Sequence, residues 1–217
     1  MISLENIEKS YNGERVLKGV SLKIERGEFL SIMGKSGSGK STLLGILGGF
    51  IKEDSGKVYF LGEDVSQFSD DKKAKQRCSK IGFVFQNFRL IPTLNVNDNL
   101  LLPATLGKKL DNSTREYIGK LVSELQLEGC LYKYPSEISG GQAQRAAIIR
   151  ALSYSPELLV LDEPTGALDS LMEERVMELL KRLNRELGVT IVQVTHSEKV
   201  ASYGTRIIKL NDGVIVE

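Results

Sequence analysis

A short glycine-rich motif constrains the fold of this chain more than any other sequence feature. Gly34–Ser41 has the sequence GKSGSGKS and fits the pattern G-x-x-x-x-G-K-[ST]. It follows FLSIM, which is suited to a strand, and precedes TLLGIL, which is suited to a helix. Glycines allow such a loop to curl until successive backbone amides face a phosphate group. The motif and its setting therefore predict a phosphate-binding loop between a strand and a helix.

The polar side chains of this loop have separate expected roles. Lys40 brings a positive charge to the β- and γ-phosphate oxygens, and the hydroxyl of Ser41 is placed to bind Mg²⁺. The dipole of the helix that follows adds to the attraction for an anion. A flexible turn without a ligand is the alternative, which the strand-loop-helix setting disfavours. The predicted nucleotide-binding residues of the loop are Gly34, Lys35, Ser36, Gly37, Ser38, Gly39, Lys40, Ser41 and Thr42.

A second segment supplies acidic groups. The apolar run Leu158–Leu161 ends in Asp162 and Glu163, and ligands of α/β proteins bind at the carboxyl ends of such strands. Adjacent residues at a strand end point apart, so we expect Asp162 to hold the metal and Glu163 to act on a water beside the γ-phosphate. Alone, the pair would indicate a helix cap or a turn. Together with the loop, it predicts hydrolysis of a nucleoside triphosphate with Mg²⁺.

Alternating β-like and helical segments place the chain in the α/β class. We predict a P-loop NTPase core with a mainly parallel sheet, an N-terminal antiparallel β subdomain and an inserted α-helical lobe. All of 1–217 forms one domain, with 1–86 and 157–217 as the ATP-binding core and about 87–156 as the lobe. Helical periods are clear at Ile118–Leu125 and Val176–Leu187. The charged run Asp70–Lys75 is expected to be a solvated turn or the start of a helix.

Four further motifs occur in a fixed order along the chain. They are Gln86 after IGFVF, Ser139-Gly140-Gly141-Gln142 in ISGGQAQR, Ala167-Leu168-Asp169, and His196 after TIVQVT. With the loop and the acidic pair, they resemble the nucleotide-binding subunit of ATP-binding-cassette (ABC) transporters. The longer segments FVFQNFRLIPTLNVNDNLLLPATL and DEPTGALDS resemble the lipoprotein-release, macrolide-efflux and antimicrobial-peptide-resistance branch. Ile138 and Ala143 depart from the usual signature, and neither departure affects catalysis.

The resemblance implies roles for these residues. It places Tyr11 against adenine, Gln86 at the metal or water, His196 at the γ-phosphate beside the catalytic Lys40 and Glu163, and Asp169 in the nucleotide site. Ser41, Gln86 and Asp162 are the expected metal ligands. It also implies that the signature, Ser139, Gly140, Gly141 and Gln142, faces the phosphate loop of a second copy, which gives an ATP-dependent dimer. A plain helix cap, a structural histidine and an ordinary loop tyrosine are the alternative interpretations.

The resemblance implies a membrane partner as well. Apolar residues after Gln86, namely Leu90, Ile91, Leu94 and Leu100–Leu102, are expected to provide lobe core and a groove for a permease segment. No charge-free stretch exceeds eleven residues, so we expect a cytoplasmic chain held at the inner face of the membrane by that permease. The net charge of +1 predicts no nucleic-acid partner. A soluble or cell-division-type mechanical ATPase that transports nothing is the alternative function.

Overall fold

A computed structural model describes residues 1–216 of the chain. Within this range the strands are β1 Ile2–Tyr11, β2 Glu14–Ile24, β3 Phe29–Met33, β4 Ser55–Phe60, β5 Glu63–Asp64, β6 Ile81–Val84, β7 Leu158–Asp162, β8 Thr190–Val194, β9 Arg206–Asn211 and β10 Val214–Ile215. The α-helices are α1 Lys40–Leu47, α2 Asp70–Lys80, α3 Val96–Leu106, α4 Asn112–Glu124, α5 Gly140–Leu152, α6 Ser170–Leu187 and α7 Glu198–Ala201. Two short 3₁₀ helices span Glu128–Cys130 and Pro135–Glu137.

The central sheet has the strand order β10-β9-β3-β8-β7-β6. All pairings from β9 to β6 are parallel, and only the short β10 runs antiparallel to its neighbour. Every residue of β7 and β8 is buried, because helices cover both faces of a parallel sheet and leave no solvated side. The carboxyl ends of β3, β7 and β8 therefore meet at one edge, where the polar motifs follow.

A second sheet of order β2-β1-β4-β5 is antiparallel throughout. It confirms the predicted N-terminal antiparallel region and the α/β class with a mainly parallel core. The inner face of this sheet packs against α1 and against alternate residues of the central strands. Together they form one apolar cluster, which includes Ile7, Leu17, Leu30 and Leu44. This packing brings the start of β2 against the loop that follows β3.

The segment between β6 and β7 is helical wherever the structure assigns it regular elements. α3, α4 and α5 bury a shared core that includes Leu100, Leu121 and Ile148. The N-cap of α4 is Asp111, whose carboxylate accepts from the Thr114 amide at 2.7 Å, whereas the cap candidates from the sequence are Asn112 to Thr114. Along residues 1–216, none of the helices has the length and apolar character needed to cross a membrane.

Candidate functional site

The loop between β3 and α1 encloses its own lysine. Lys40 Nζ donates to the carbonyl oxygens of Gly34 at 2.8 Å and Lys35 at 2.6 Å. Gly39 has φ +98°, and a Cβ there would lie 2.9 Å from the carbonyl oxygen of Val16, so this position excludes a side chain on both counts. The curl of the loop is thus held by backbone geometry that only glycine provides.

The first turn of α1 is left open for an anion. Gly39 is its N-cap, and no side chain accepts a hydrogen bond from the turn. By contrast, α2, α4 and α6 each begin with a side chain that accepts such a bond. Uncapped amides at a helix N-terminus carry partial positive charge and suit a phosphate. Lys40 lies within this turn, and its burial lowers its pKa, while Glu163 and Asp162 oppose that effect.

Asp162 and Glu163 lie where β7 ends, as the apolar run predicted. Both are desolvated, and burial raises the pKa of each carboxyl above its ordinary value. The Ser41 hydroxyl and Lys40 counteract this for Asp162, and His196 does so most for Glu163. Glu163 has φ +49°, an uncommon conformation for a residue with a side chain and a frequent mark of a functional position. Its amide donates to the Val194 carbonyl at 3.1 Å.

His196 and Gln86 complete the same cleft. His196 Nε2 lies 3.3 Å from Glu163 Oε1, and the imidazole is 56% exposed. The cleft has a volume of about 380 Å³ and lies between the loop, the ends of β7 and β8, and Gln86. Its lining residues are Val16, Ser36, Gly37, Gly39, Lys40, Ser41, Thr42, Gln86, Asp162, Glu163, Val194 and His196.

The cleft fits a magnesium-bound nucleotide on two grounds. Ser38 Oγ is buried without a hydrogen-bond partner, and the buried Glu163 Oε1 has none beyond its 3.3 Å contact with His196 Nε2, which is costly unless a ligand or water supplies one. Oxygen donors of Ser41 and Asp162 suit Mg²⁺, which takes few protein ligands and completes its shell with phosphate and water.

The signature motif lies outside this cleft. Ser139 caps α5 by accepting from the Gln142 amide at 3.2 Å, while Gln142 Oε1 accepts from the Ser139 amide at 2.8 Å. A Cβ at Gly141 would lie 3.1 Å from the Ala167 carbonyl oxygen, so the signature and Ala167-Leu168-Asp169 are neighbours. Asp169 caps α6 by accepting from the Met172 amide at 2.9 Å. The structure thus gathers the predicted residues into two groups.

Besides the signature and Asp169, four predicted residues do not line the cleft: Tyr11, Gly34, Lys35 and Ser38. Tyr11 ends β1, is 44% exposed, and has Lys9 Nζ 5.5 Å from its ring centroid. Gly34 and Lys35 line a neighbouring cavity of about 520 Å³ together with His196 and Lys209. Sequence reasoning missed Val16, which lines the cleft from β2; an isolated valine in an alternating strand carries no signal that distinguishes it from core.

Fold and cleft define the class of this protein. A mainly parallel sheet, a glycine loop around a buried lysine after β3 and a carboxylate pair at the end of β7 constitute a P-loop nucleoside triphosphatase. The sequence matches the family described as "ABC transporter" over residues 17–166. The chain belongs to this ABC transporter family and is an ATP-binding cassette with ATPase activity, as the motifs predicted.

Named relatives support the same assignment. The chain is 46% identical to the macrolide export ATP-binding/permease protein MacB of Syntrophobacter fumaroxidans, over 99% of this chain but only 31% of that protein. It is 41% identical to the bacitracin export ATP-binding protein BceA of Halalkalibacterium halodurans, over 99% of this chain and 87% of that one. The dimeric post-hydrolysis structure of the cassette MJ0796 with ADP and Pi has a TM-score of 0.95, with 43% identity, 100% of this chain and 97% of that chain covered. MJ0796 comes from Methanocaldococcus jannaschii.

Proposed function

We propose that this chain is the ATP-binding and hydrolysing subunit of an ABC transporter and drives a separate membrane permease. The observation that carries the proposal is the convergence of Lys40, Gln86, Asp162, Glu163 and His196 on one cleft. Phosphoryl transfer depends mainly on positioning and on neutralising charge, and these groups provide both.

The loop between β3 and α1 binds the phosphates in this proposal. In our proposal its amides and the open first turn of α1 hold the β-phosphate, and Lys40 turns from the Gly34 and Lys35 carbonyls toward the β- and γ-oxygens. Ser36, Gly37, Ser38 and Thr42 line or support this cradle. Tyr11 stacks its exposed ring face on adenine, an interaction that tolerates differences in base identity.

Ser41 and Asp162 are the proposed magnesium ligands, with Gln86 beside them. Bound Mg²⁺ neutralises phosphate charge during the reaction. Glu163 receives a proton from the attacking water, a role favoured by the raised pKa of its carboxyl. His196 holds the γ-phosphate from the opposite side of that carboxylate and keeps Glu163 oriented through their 3.3 Å contact.

The second group of residues acts in trans in our proposal. Ser139, Gly140, Gly141 and Gln142 lie at the N-terminus of α5, away from their own cleft, so they serve the cleft of a second copy. Asp169, next to this signature, contacts the partner at the same interface. MJ0796, which is similar over the whole chain, is described as a dimer, and two bound ATP molecules would join two copies of this chain in the same way.

An apolar groove is the proposed docking site for the permease. It has a volume of about 330 Å³ and lies between α2, β6, α3 and the end of α5. Of the lobe residues expected there, Ile91 and Leu102 line the groove, whereas Leu100 is fully buried core. Leu106 stands at the rim and is 66% exposed. A groove that follows Gln86 in sequence can move with it, and a helix from a membrane partner fits such a surface.

The names of the relatives suggest the cargo class. One is a macrolide export protein and another a bacitracin export protein. We therefore propose that the complex exports antimicrobial compounds or confers resistance to them, with this chain attached to the inner face of the cell membrane through its permease.

Co-purification tests this function. Tagged Glu163→Gln, expressed in the native host, should recover a multi-span membrane protein in stoichiometric amount from detergent-solubilised membranes. Leu106→Glu in that background should lose it. Leu187→Glu is the matched control, since Leu187 is 63% exposed and also ends a helix, but at the far end of α6. Recovery of soluble proteins alone would contradict a transport role and favour a mechanical ATPase.

A further inference from the structure

The turn that follows Gln86 contains two consecutive strained residues. φ is +55° at Phe88 and +47° at Arg89, a region that residues with a side chain occupy rarely because Cβ crowds the backbone. Within the turn, the Phe88 amide donates to the Phe85 carbonyl at 2.9 Å, and the Arg89 amide to the Asn87 carbonyl at 2.5 Å. Such backbone persists only where surrounding groups hold it in place.

Arg150, in the last turn of α5, contacts both strained residues. Its guanidinium donates to the Arg89 carbonyl at 2.5 Å and to the Phe88 carbonyl at 2.7 Å. Burial lowers the pKa of Arg150, yet a guanidinium in a protein stays protonated. A partly buried charge thus donates to two backbone oxygens of this one turn, and charge-assisted hydrogen bonds of this kind are the strong ones.

The helix that carries Arg150 also carries the signature. α5 runs from Gly140 to Leu152, a length of about 20 Å at 1.5 Å per residue. Its far end is in backbone contact with β6, because a Cβ at Gly82 would lie 2.4 Å from the Ala151 carbonyl oxygen. β6 leads directly to Gln86. One end of α5 thus adjoins the Gln86 turn and the other presents Ser139.

We propose that Arg150 is a positioning residue for ATP hydrolysis. Arg150 holds the turn at Phe88 and Arg89 so that Gln86 meets the cleft, and it links that turn to the signature helix. Arg89 and Arg150 also line the apolar groove, so a partner bound in the groove would act on the same contact between Arg150 and the turn. The inference rests on the proposed function of Gln86 in the cleft.

Arg145 on the same helix provides a matched control. Its guanidinium donates to the backbone carbonyls of Leu125 at 2.5 Å and Gln126 at 3.2 Å, and also, one turn back on its own helix, to that of Gly141 at 3.2 Å. Gln126 likewise has a left-handed backbone, with φ +54°. Arg145 therefore shares the kind of contact and the helix with Arg150, but it secures the end of α4 instead of the turn after Gln86.

A double-mutant cycle tests the proposal in the isolated chain. Arg150→Met should lower kcat on the order of ten- to a hundredfold, because misplacing a group at the reacting centre has that effect, while KM for ATP stays within about threefold. Combined with Gln86→Ala, it should reduce kcat no further than Gln86→Ala does alone, since both changes remove one function. Arg150→Lys, which keeps the charge, should recover part of the activity and carries the cycle if the Met variant fails to fold.

The control separates positioning from stability. Arg145→Met should lower Tm comparably, and its effect on kcat should multiply with that of Gln86→Ala. Unchanged kcat in Arg150→Met, multiplying effects of Arg150→Met and Gln86→Ala, or the same non-additivity for Arg145→Met would overturn the proposal. Absence of ATP hydrolysis in the unmodified chain would instead count against the proposed function itself.

Discussion

Two glycine-containing turns in this protein begin helices, and they are built in opposite ways. Gly34–Gly39 leads into α1 with no side-chain cap, encloses Lys40 and lines the cleft with Ser36, Gly37 and Gly39. Ser139–Gly141 leads into α5 with a complete capping box and lies apart from that cleft. No side chain accepts from the backbone amides at the start of α1, whereas at the start of α5 the side chains of Ser139 and Gln142 accept from each other's amides. A phosphate-binding cradle is thus preformed, whereas the signature is a stable surface feature that can serve another molecule.

Removing the base of the cleft should have the largest effect. Glu163→Gln keeps the shape and loses the proton acceptor, so ATP turnover should fall by about 10²- to 10⁴-fold. The Kd for ATP should change little, because the loop and Lys40 are intact. Steady-state phosphate release and equilibrium nucleotide binding measure the two quantities. Normal turnover would show that another group activates the water.

Adding a methyl group to the loop should separate strain from close packing. Gly37 and Gly39 both have left-handed backbones, with φ +80° and +98°, but only a Cβ at Gly39 would meet other atoms within 4 Å. Backbone strain should therefore lower the free energy of unfolding of both Gly→Ala variants by about 1–2 kcal/mol. Overpacking should lower that of Gly39→Ala by roughly 1 kcal/mol more. Denaturant unfolding without nucleotide measures the difference. Equal losses would mean that the contact between Gly39 and β2 contributes nothing.

Removing the signature hydroxyl should affect stability and turnover together. Ser139→Ala and Ser69→Ala each delete an N-cap that accepts from the third residue of a helix, at a cost of about 1 kcal/mol each. Only Ser139 is proposed to meet a γ-phosphate, where a hydrogen bond to a charged group is worth about 1.5 kcal/mol. Turnover should fall about tenfold in Ser139→Ala and stay unchanged in Ser69→Ala. Equal turnover in the two variants would assign Ser139 to capping alone.

The buried carboxylate should lower the stability of the nucleotide-free protein. Burial raises the pKa of Asp162 above its ordinary 3.8, so the folded state holds this proton more tightly than the unfolded state does. Stability from this group is present below pH 3.8 and is lost as pH rises through the folded-state pKa. Asp162→Asn should therefore raise Tm at pH 7 by roughly 2–4 °C, for a gain of about 1 kcal/mol.

The pH dependence of Tm provides an internal control for Asp162→Asn. The gain in Tm should shrink as the pH falls through the raised folded-state pKa of Asp162, because the native carboxyl is then protonated. It should reverse with MgATP, because Asp162→Asn then loses stabilisation by a bound ligand. A gain that is independent of pH would attribute the change to packing.

Local sequence patterns predicted the phosphate loop and the buried strands of the central sheet. The loop was clear from Gly34–Ser41, and β7 and β8 from their apolar runs, because burial on both faces of the sheet leaves a distinct composition. α2 was expected only as a solvated turn or helix start; it buries no residue, so no apolar period marks it. Its signals were Ser69 as cap and acidic residues in its first turn. α3 was missed because Pro103 interrupts its pattern.

The residue types and their spacing predict a chemistry for the site but not which of its residues meet, and only the family resemblance predicted that the signature faces a second copy. Spacing in sequence does not show that Ser139 and Asp169 lie away from the cleft that Lys40 and Glu163 share, because tertiary packing decides which loops meet. Nor does an arginine in the last turn of a helix reveal a contact with Phe88 and Arg89, since such residues are common at helix C-termini for electrostatic reasons.

The central claim is that one chain carries two half-sites that meet only between copies. Light scattering of Glu163→Gln, with and without saturating MgATP, tests it most directly, and Ser139→Arg in the same background serves as the comparison. We predict twice the single-chain mass with ATP, the single-chain mass without it, and no ATP-dependent dimer when Ser139 is replaced by Arg. A Glu163→Gln protein that binds ATP and stays monomeric would contradict the account.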